Sequence, residues 1–316
     1  MFTRTSVNNE QLFRDLMVLF TMVMQGKMAG CGAEEVRKAA SEAMRRLLTT
    51  PDESLETKVG PRTRDSQEYQ LLYSHAIFVA LEAVDRGQDL DYRLVVLSLL
   101  ETLLRSLKGD MVLTVLPGVS SSLCKGILKD SKENHRFIVR SLELLTFLLT
   151  LTVTDELNEA ILPKIASDLS QLAALSLDGN KEEDVTHLEV SSESRKSNMP
   201  PVRRDAPWLK MVSERLSSLL RQISLLMDHP AWRVRLAMAG LAFTLLSRCP
   251  RSLRSSVHHM AEVLVFYCSD VSQDVSAFAF SSLKVRILLF VCVPLSPDLK
   301  ISFFLSFKSQ GAFKSP

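Results

Sequence analysis

Residues that interrupt helices are scarce in this chain. Its 316 residues include only 11 glycines and 12 prolines, and leucine is abundant. Few turns and many helices are therefore expected. The sequence also lacks a convincing series of segments in which apolar and polar residues alternate, the pattern typical of β-strands. These properties predict an all-α protein.

A strong charge of one sign and a cysteine pattern are also missing. The 38 basic and 36 acidic residues give a net charge of +2, so the chain has no overall attraction to nucleic acid or to an anionic membrane. The five cysteines are scattered, without a Cys-x-x-Cys pair: Cys31, Cys124, Cys249, Cys268 and Cys292. Such thiols are typical of reduced proteins, so we expect a cytoplasmic location, with the nucleus as a second one.

Motifs of catalytic and cofactor sites are absent from the sequence, including the phosphate-binding loop, Gly-x-Gly-x-x-Gly, His-Glu-x-x-His and Gly-x-Ser-x-Gly. His258 and His259 are adjacent and so point about 100° apart on a helix, which prevents them from sharing a metal. The carboxylates at 182–184 fall in a polar stretch, whereas catalytic carboxylates need a fixed geometry. We predict no enzyme, metal, cofactor or small-molecule substrate. An enzyme with an unrecognised site is the weakest hypothesis.

Long apolar runs are missing as well. Residues 16–24 form a short apolar run, but Glu10 and Asp15 precede it, whereas the segment before a signal-peptide core is positively charged. No run approaches the roughly 18 apolar residues of a membrane helix. We therefore predict a core helix at 16–24 and no association with a membrane.

What the sequence does contain is helical hairpins. Before a turn at 228–230, apolar residues recur at three- and four-residue steps, as on one face of a helix: Leu209, Val212, Leu216, Leu219, Ile223 and Leu226. After the turn, two apolar stripes share one helix: Val234, Ala237, Leu241 and Leu245 on one side, and Trp232, Leu236, Phe243 and Leu246 on the other. A hairpin that is apolar on several sides must stack on neighbours.

The hairpin pattern recurs along the chain. A second copy follows in residues 253–284, with its turn at Asp270, and a looser copy occupies residues 112–149. Aligning Val275 with Val234 gives a period of 41 residues, within the range of about 40–47 for HEAT and armadillo repeats. The predicted repeat motif consists of Asp228, Pro230, Trp232, Val234, Arg235, Asp270 and Val275. The predicted fold is an all-α, HEAT/armadillo-like solenoid of helical hairpins.

The basic and aromatic residues at 232–235 have two interpretations. In the first, Trp232 and the arginines contact a partner protein. In the second, which we favour, Arg235 braces the turn of the next repeat, with Asp228 or Asp270 accepting its hydrogen bonds. Replacing Trp232 by alanine distinguishes a core ring from an exposed anchor. Arg233 and Trp208 are the candidate residues of a partner surface.

Changes in composition divide the chain into four predicted segments. Residues 1–177 form an N-terminal block of helical repeats, with its first helices at 9–25, 33–48, 66–84 and 92–107. Residues 178–206 lack aromatics and are rich in charge, so they are predicted to be a disordered linker. Residues 207–284 form two hairpins. Residues 285–316 are an atypical apolar tail outside the solenoid, because a solenoid normally ends in a cap with a polar outer surface.

Three short motifs carry a resemblance to a known family. They are Trp-Leu-Lys-x-x-x-Glu-Arg-Leu from Trp208, His-Pro-Ala-Trp-Arg-Val-Arg-Leu at 229–236, and Leu-Leu-Ser-Arg-Cys-Pro-Arg-Ser-Leu at 245–253. The block Leu-Pro-Gly-Val-Ser-Ser-Ser-Leu at 116–123 adds to them. Together they resemble the Tti-one family, the Tel-two-interacting protein one homologues, which are HEAT-repeat subunits of the Triple T complex. The run at 229–236 is the most specific of these motifs, because generic HEAT repeats keep only an aspartate followed by valine and arginine.

The resemblance implies a non-catalytic scaffold that acts as a co-chaperone. With Tel-two and Tti-two partners, the family helps the ninety-kilodalton heat-shock chaperone and RuvB-like ATPases to mature phosphatidylinositol 3-kinase-related kinases, including the TOR kinase and the DNA-damage checkpoint kinases. This chain lacks most of the family's C-terminal solenoid, so we expect a truncated form. The alternative is a HEAT adaptor of the nuclear-transport or vesicle-coat type, against which the near-neutral charge argues.

Overall fold

The computed structural model of the protein describes residues 3–27, 33–49, 67–129, 134–162 and 202–292, and for 3–10 and 285–292 it gives only the helical backbone. Within these ranges the secondary structure is helical and no strand occurs, which confirms the all-α prediction. The predicted linker lies outside the described residues from 178 to 201, and so does the tail after Cys292. The boundaries of the four predicted segments therefore stay predictions.

The described residues form the following helices. In chain order they are α1 (Thr3–Met24), α2 (Glu34–Thr49), α3 (Gln67–Arg86), α4 (Leu90–Ser106), α5 (Met111–Lys129), α6 (His135–Thr152), the short α7 (Asp155–Asn158), α8 (Ala206–Ile223), a 3-10 helix (Ser224–Asp228), α9 (Trp232–Arg248), α10 (Arg254–Tyr267) and α11 (Gln273–Cys292). The backbone of α11 continues beyond residue 284, where we had placed the start of the tail.

The helices form two layers. In the first layer, α1, α3, α5, α8 and α10 pack side by side in this order, and in the second layer α2, α4, α6, α9 and α11 do the same. Consecutive helices of the two layers pair as hairpins, with the 3-10 helix joining α8 to α9. This arrangement, in which each hairpin packs on its neighbours, confirms the predicted solenoid of helical hairpins over the described residues.

Carboxylates fix the starts of two helices. The Asp89 side chain accepts hydrogen bonds from the backbone N–H groups of Asp91 and Tyr92 at the start of α4. The Asp205 carboxylate accepts one from the N–H of Trp208, at 2.8 Å, at the start of α8. Each cap satisfies N–H groups that have no partner within the helix, a contribution of about 1 kcal/mol.

The hairpins on either side of residues 163–201 pack directly on each other. Helix α6 contacts α9, and α5 contacts α8. The guanidinium of Arg204 donates to the carbonyl oxygen of Thr152 (2.6 Å) and to Oδ1 of the fully buried Asn158 (2.9 Å). The Asp155 carboxylate accepts from the backbone N–H groups of Arg251 (2.9 Å) and Ser252 (2.8 Å). The solenoid is therefore continuous from the third hairpin to the fourth.

Within the described part of the chain, two segments are long and apolar enough to cross a membrane by length and composition alone, Met111–Lys129 and His135–Asn158. In the structure, half or more of each is buried inside the protein. Central helices of a solenoid are covered by neighbouring helices on several sides, which accounts for their high apolar content.

Candidate protein-interaction surface

Arg235 joins the turns of two successive hairpins. Its Nε and Nη2 groups donate to the two carboxylate oxygens of Asp270, at 2.6 and 2.8 Å. Its Nη1 group donates to the carbonyl oxygens of His229 (2.7 Å) and Pro230 (3.1 Å) in the turn before α9. The arginine side chain is 15% exposed and that of Asp270 is 5% exposed. We call this arrangement the Arg235 brace.

The brace is a charged pair held in place by hydrogen bonds. The hydrogen bond from Arg235 lowers the pKa of Asp270, outweighing the opposite effect of burial, and the backbone N–H of Ser272 adds a further hydrogen bond at 2.7 Å. The same pair raises the pKa of Arg235. Both side chains are therefore charged at neutral pH, and their role is to fix one repeat against the next.

The other residues of the predicted motif occupy different positions. Val234 and Val275 are fully buried, one in α9 and the other in α11. Asp228 and Pro230 are exposed in the turn. Arg235 contacts the backbone of this turn and not the Asp228 carboxylate, which we had considered as an acceptor.

The two candidate partner-surface residues differ in exposure. Trp208 is only 6% exposed and belongs to the core. Its indole is therefore covered by the protein, whereas we had expected it on a partner surface. Its ring lies 5.5 Å from the guanidinium carbon of Arg204. Arg233 is exposed, and its guanidinium carbon lies 5.3 Å from the ring of Trp232, which is 37% exposed.

Trp232 and Arg233 lie at one end of a groove between α6 and α9. The groove encloses about 810 Å³ and adjoins a smaller depression of about 280 Å³ near the start of α6. The two share the lining residues Val139, Arg140, Glu143 and Arg233. We call the combined feature the α6–α9 groove. Gly240 lies on its wall, where an added Cβ atom would meet nothing within 4 Å.

Basic residues predominate in the lining of the α6–α9 groove. Its arginines are Arg105, Arg136, Arg140, Arg233 and Arg248, against the glutamates Glu101 and Glu143. Glu101 accepts hydrogen bonds from Arg105, at 2.6 Å, and from Arg140. Burial alone would raise the pKa of Glu101, but these hydrogen bonds outweigh it and lower the pKa below its ordinary value. The carboxylate thus stays ionised and orients two of the arginines.

An aromatic ring also supports the basic side chains of the groove. The guanidinium carbon of Arg105 lies 4.3 Å from the centroid of the Phe147 ring. Cation–π contacts of this kind hold an arginine in place while leaving its N–H groups available. Sequence reasoning did not identify Phe147 or Arg140, because we read α6 only for its core stripe. Their spacing of seven residues on one helix face was the available signal.

The described cysteines are buried or half-buried. No group of three or more histidine, cysteine or acidic residues that could hold a metal occurs among the described residues. The pKa of Cys124 and of Cys249 is raised by burial to about 12, and that of Cys268 to about 11. These three thiols are thus protonated at neutral pH and are poor nucleophiles.

Ser224 and His259 form a pair that resembles part of a hydrolytic site. The Nε2 atom of His259 lies 2.6 Å from the Ser224 hydroxyl, and its Nδ1 atom lies 3.4 Å from Glu262. The Ser224 hydroxyl, however, donates its proton to the carbonyl oxygen of Arg221, at 2.7 Å. When the hydroxyl proton is engaged in this way, the histidine donates to the serine oxygen and does not act as its general base. The pair serves to connect α10 with the end of α8.

Comparisons with known proteins agree with this architecture. A family model described as the TTI1 N-terminal TPR domain matches residues 1–271. The TELO2-interacting protein 1 homologs of Homo sapiens and Mus musculus are each 26% identical to this chain over 170 residues, which is 54% of this chain. The match spans 14% of the length of those relatives. The predicted resemblance is confirmed: with a family match over most of its length and a solenoid of helical hairpins, this chain belongs to the TTI1 family.

Proposed function

We propose that this chain is a non-catalytic scaffold that supports chaperone-dependent maturation of phosphatidylinositol 3-kinase-related kinases, including the TOR and DNA-damage checkpoint kinases. The observation that carries the proposal is the match of residues 1–271 to the TTI1 N-terminal TPR domain, on a chain that folds as a two-layer solenoid. Stacked hairpins present long surfaces, and such surfaces bind other proteins through several separate contacts.

The proposed partners follow from the family. The curated relatives are named for interaction with TELO2, and we assign this chain a partner of the same Tel-two type, together with a Tti-two-type subunit, the client kinases and the chaperone machinery. The location that we propose for this chain is the cytoplasm, with the nucleus as a second one.

Exposed apolar side chains supply candidate anchors on the first layer. Leu71 and Phe78 of α3, Met211 of α8 and Phe266 of α10 are all exposed although they lie on helices whose other faces form the core. Binding of a partner would remove these side chains from water, a gain of about 25 cal/mol for each Å² of apolar surface buried.

Affinity purification of the tagged chain from cells, followed by mass spectrometry, tests the proposal. We expect recovery of Tel-two-type and Tti-two-type subunits with the wild-type chain. A matched control carries Val234→Asp, which places a carboxylate at a fully buried position and should unfold α9. This control should recover general chaperones alone.

Circular dichroism of the purified wild-type chain makes the result decisive. A helical, cooperatively melting chain that recovers neither subunit would refute the proposed function. Recovery of both subunits by the wild-type chain, and of neither by Val234→Asp, would establish that the folded solenoid forms the contacts.

A further inference from the structure

We infer that the α6–α9 groove binds an acidic segment of a partner protein, with an apolar side chain between two groups of carboxylates. The inference rests on the proposed function, because it assumes that this chain binds proteins. It goes further by naming one surface and the chemistry of its ligand.

The dimensions of the groove suit a short segment of chain. Its lining along α9 runs from Trp232 to Arg248, sixteen residues apart in sequence, which corresponds to about 24 Å at the helical rise of about 1.5 Å per residue. An extended peptide advances about 3.3 Å per residue, so about seven residues span this length. The groove is therefore long enough to hold a linear segment of about seven residues.

The lining of the groove also offers apolar contact. Phe147 of α6 and Leu236 of α9 are half-buried in it, and the more exposed Trp232 lies at one end. Gly240 leaves open space beside them. An aromatic or aliphatic side chain of a ligand would fill this region, and a central apolar anchor is the usual source of affinity at such a site.

The two ends of the groove offer arginines. Arg233 lies near the first turn of α9 and Arg248 is its last residue. Among the described residues, neither arginine has a carboxylate within ion-pair distance. In contrast, Arg140 is engaged by Glu101 and by Glu143 (3.2 Å). Arg233 and Arg248 can therefore each bind a ligand carboxylate through two parallel hydrogen bonds, at opposite ends of the segment.

The same charges argue against a nucleic acid in the groove. Glu101 and Glu143 contribute two carboxylates to the lining, and the hydrogen bonds to Arg105 and Arg140 keep Glu101 ionised. A nucleic acid presents a phosphate at every nucleotide and would meet these carboxylates along its path. A peptide, in contrast, can carry carboxylates at its ends alone, next to Arg233 and Arg248, which have no carboxylate within ion-pair distance among the described residues.

Fluorescence anisotropy with labelled peptides tests the inference. The probe carries glutamates at both ends and leucine and phenylalanine in the middle. One comparison peptide has lysine in place of glutamate, a second has serine in place of the apolar residues, and an oligouridylate represents RNA. We expect the purified full chain to bind the acidic apolar probe most tightly, and added salt to weaken the binding.

Charge reversal at the two ends of the groove identifies the site. Arg233→Glu combined with Arg248→Glu should weaken binding of the acidic probe by about tenfold or more, because like charges would then face each other. Arg215→Glu is the matched control, since Arg215 is an exposed arginine of α8 in the first layer. It changes the net charge half as much and should leave binding within about twofold.

Several outcomes would overturn the inference. They are absence of binding by the acidic probe, binding that the double variant does not weaken, and tighter binding of the oligouridylate than of the peptide. Affinity purification with the double variant separates this inference from the proposed function. If wild type and double variant recover the same partners equally, the groove assignment is wrong while the scaffold function stands. If the probe binds at the groove but the folded wild-type chain recovers no partner, the scaffold function is wrong while the assignment of the groove as a peptide site stands.

Discussion

The two tryptophans of the chain lie at the starts of neighbouring helices and yet differ in exposure. Trp208 lies in the first turn of α8, and Trp232 is the first residue of α9. Each ring has an arginine guanidinium between 5 and 6 Å away. Trp208 is buried near the contacts that join the third hairpin to the fourth, whereas Trp232 is open to solvent at the α6–α9 groove.

The difference shows what decides whether an aromatic side chain at the start of a helix is buried or exposed. Arg204, beside Trp208, is bonded to the third hairpin through Thr152 and Asn158, so the indole is enclosed between two hairpins. Arg233, beside Trp232, makes no hydrogen bond to a neighbouring hairpin within the described residues, and both side chains are exposed to solvent. A partner can bind only where the array does not use the aromatic ring for its own packing.

The largest expected effect is that of Trp208→Ala. Removing a buried indole leaves a cavity between two hairpins and should reduce the free energy of unfolding by about 3–5 kcal/mol. Urea unfolding followed by circular dichroism measures the change. A loss below about 1 kcal/mol would mean that this ring is not part of the core.

The second effect concerns the Arg235 brace, which holds α9 one turn after Trp232. Asp270→Ala leaves the mostly buried Arg235 without its carboxylate and should cost about 3 kcal/mol. Asp228→Ala is the matched control, because Asp228 is an exposed aspartate in the preceding turn, and it should cost less than about 0.5 kcal/mol. Equal losses in the two variants, measured by thermal melting, would contradict the assignment of the brace.

A smaller effect is expected for Asp155→Ala, at the joint between the third and fourth hairpins. The variant leaves the backbone N–H groups of Arg251 and Ser252 without their carboxylate, which should cost about 1–2 kcal/mol. Amide hydrogen exchange should then become faster at the turn between α9 and α10 and remain unchanged in α1 and α2. Uniformly faster exchange would show that the joint does not act locally.

Trp232→Ala should have the smallest effect on stability. Because the ring is partly exposed, we expect a change of less than about 1 kcal/mol in the free energy of unfolding. Binding of the acidic apolar probe should nevertheless weaken by about tenfold, since an aromatic anchor of the groove is lost. A stability loss as large as that of Trp208→Ala would remove the distinction between the two tryptophans.

Much of the helical organisation could be predicted from the sequence. The helix expected at residues 33–48 is found at Glu34–Thr49, and the one expected at 66–84 is found at Gln67–Arg86. These helices were visible because their apolar residues recur with the helical period and polar segments with prolines separate them. The pairing of Arg235 with Asp270 also followed the repeat, since equivalent turns are adjacent in a solenoid.

The remaining features depend on contacts that no local pattern encodes. Arg204 and Thr152 are 52 positions apart in sequence, and Asp155 and Ser252 are 97 apart. We read the polar stretch between α7 and α8 as a division between two blocks, because composition gives no sign that the flanking helices pack together. The exposure of Trp232 was equally hidden, since its spacing fits an apolar stripe.

The hydrogen bond between Arg204 and Asn158 brings two distant points of the chain within 2.9 Å of each other. Joining two points that are 46 positions apart in sequence costs conformational entropy. The packing of α5 on α8 and of α6 on α9 must therefore offset that cost in addition to the cost of ordering the hairpins themselves.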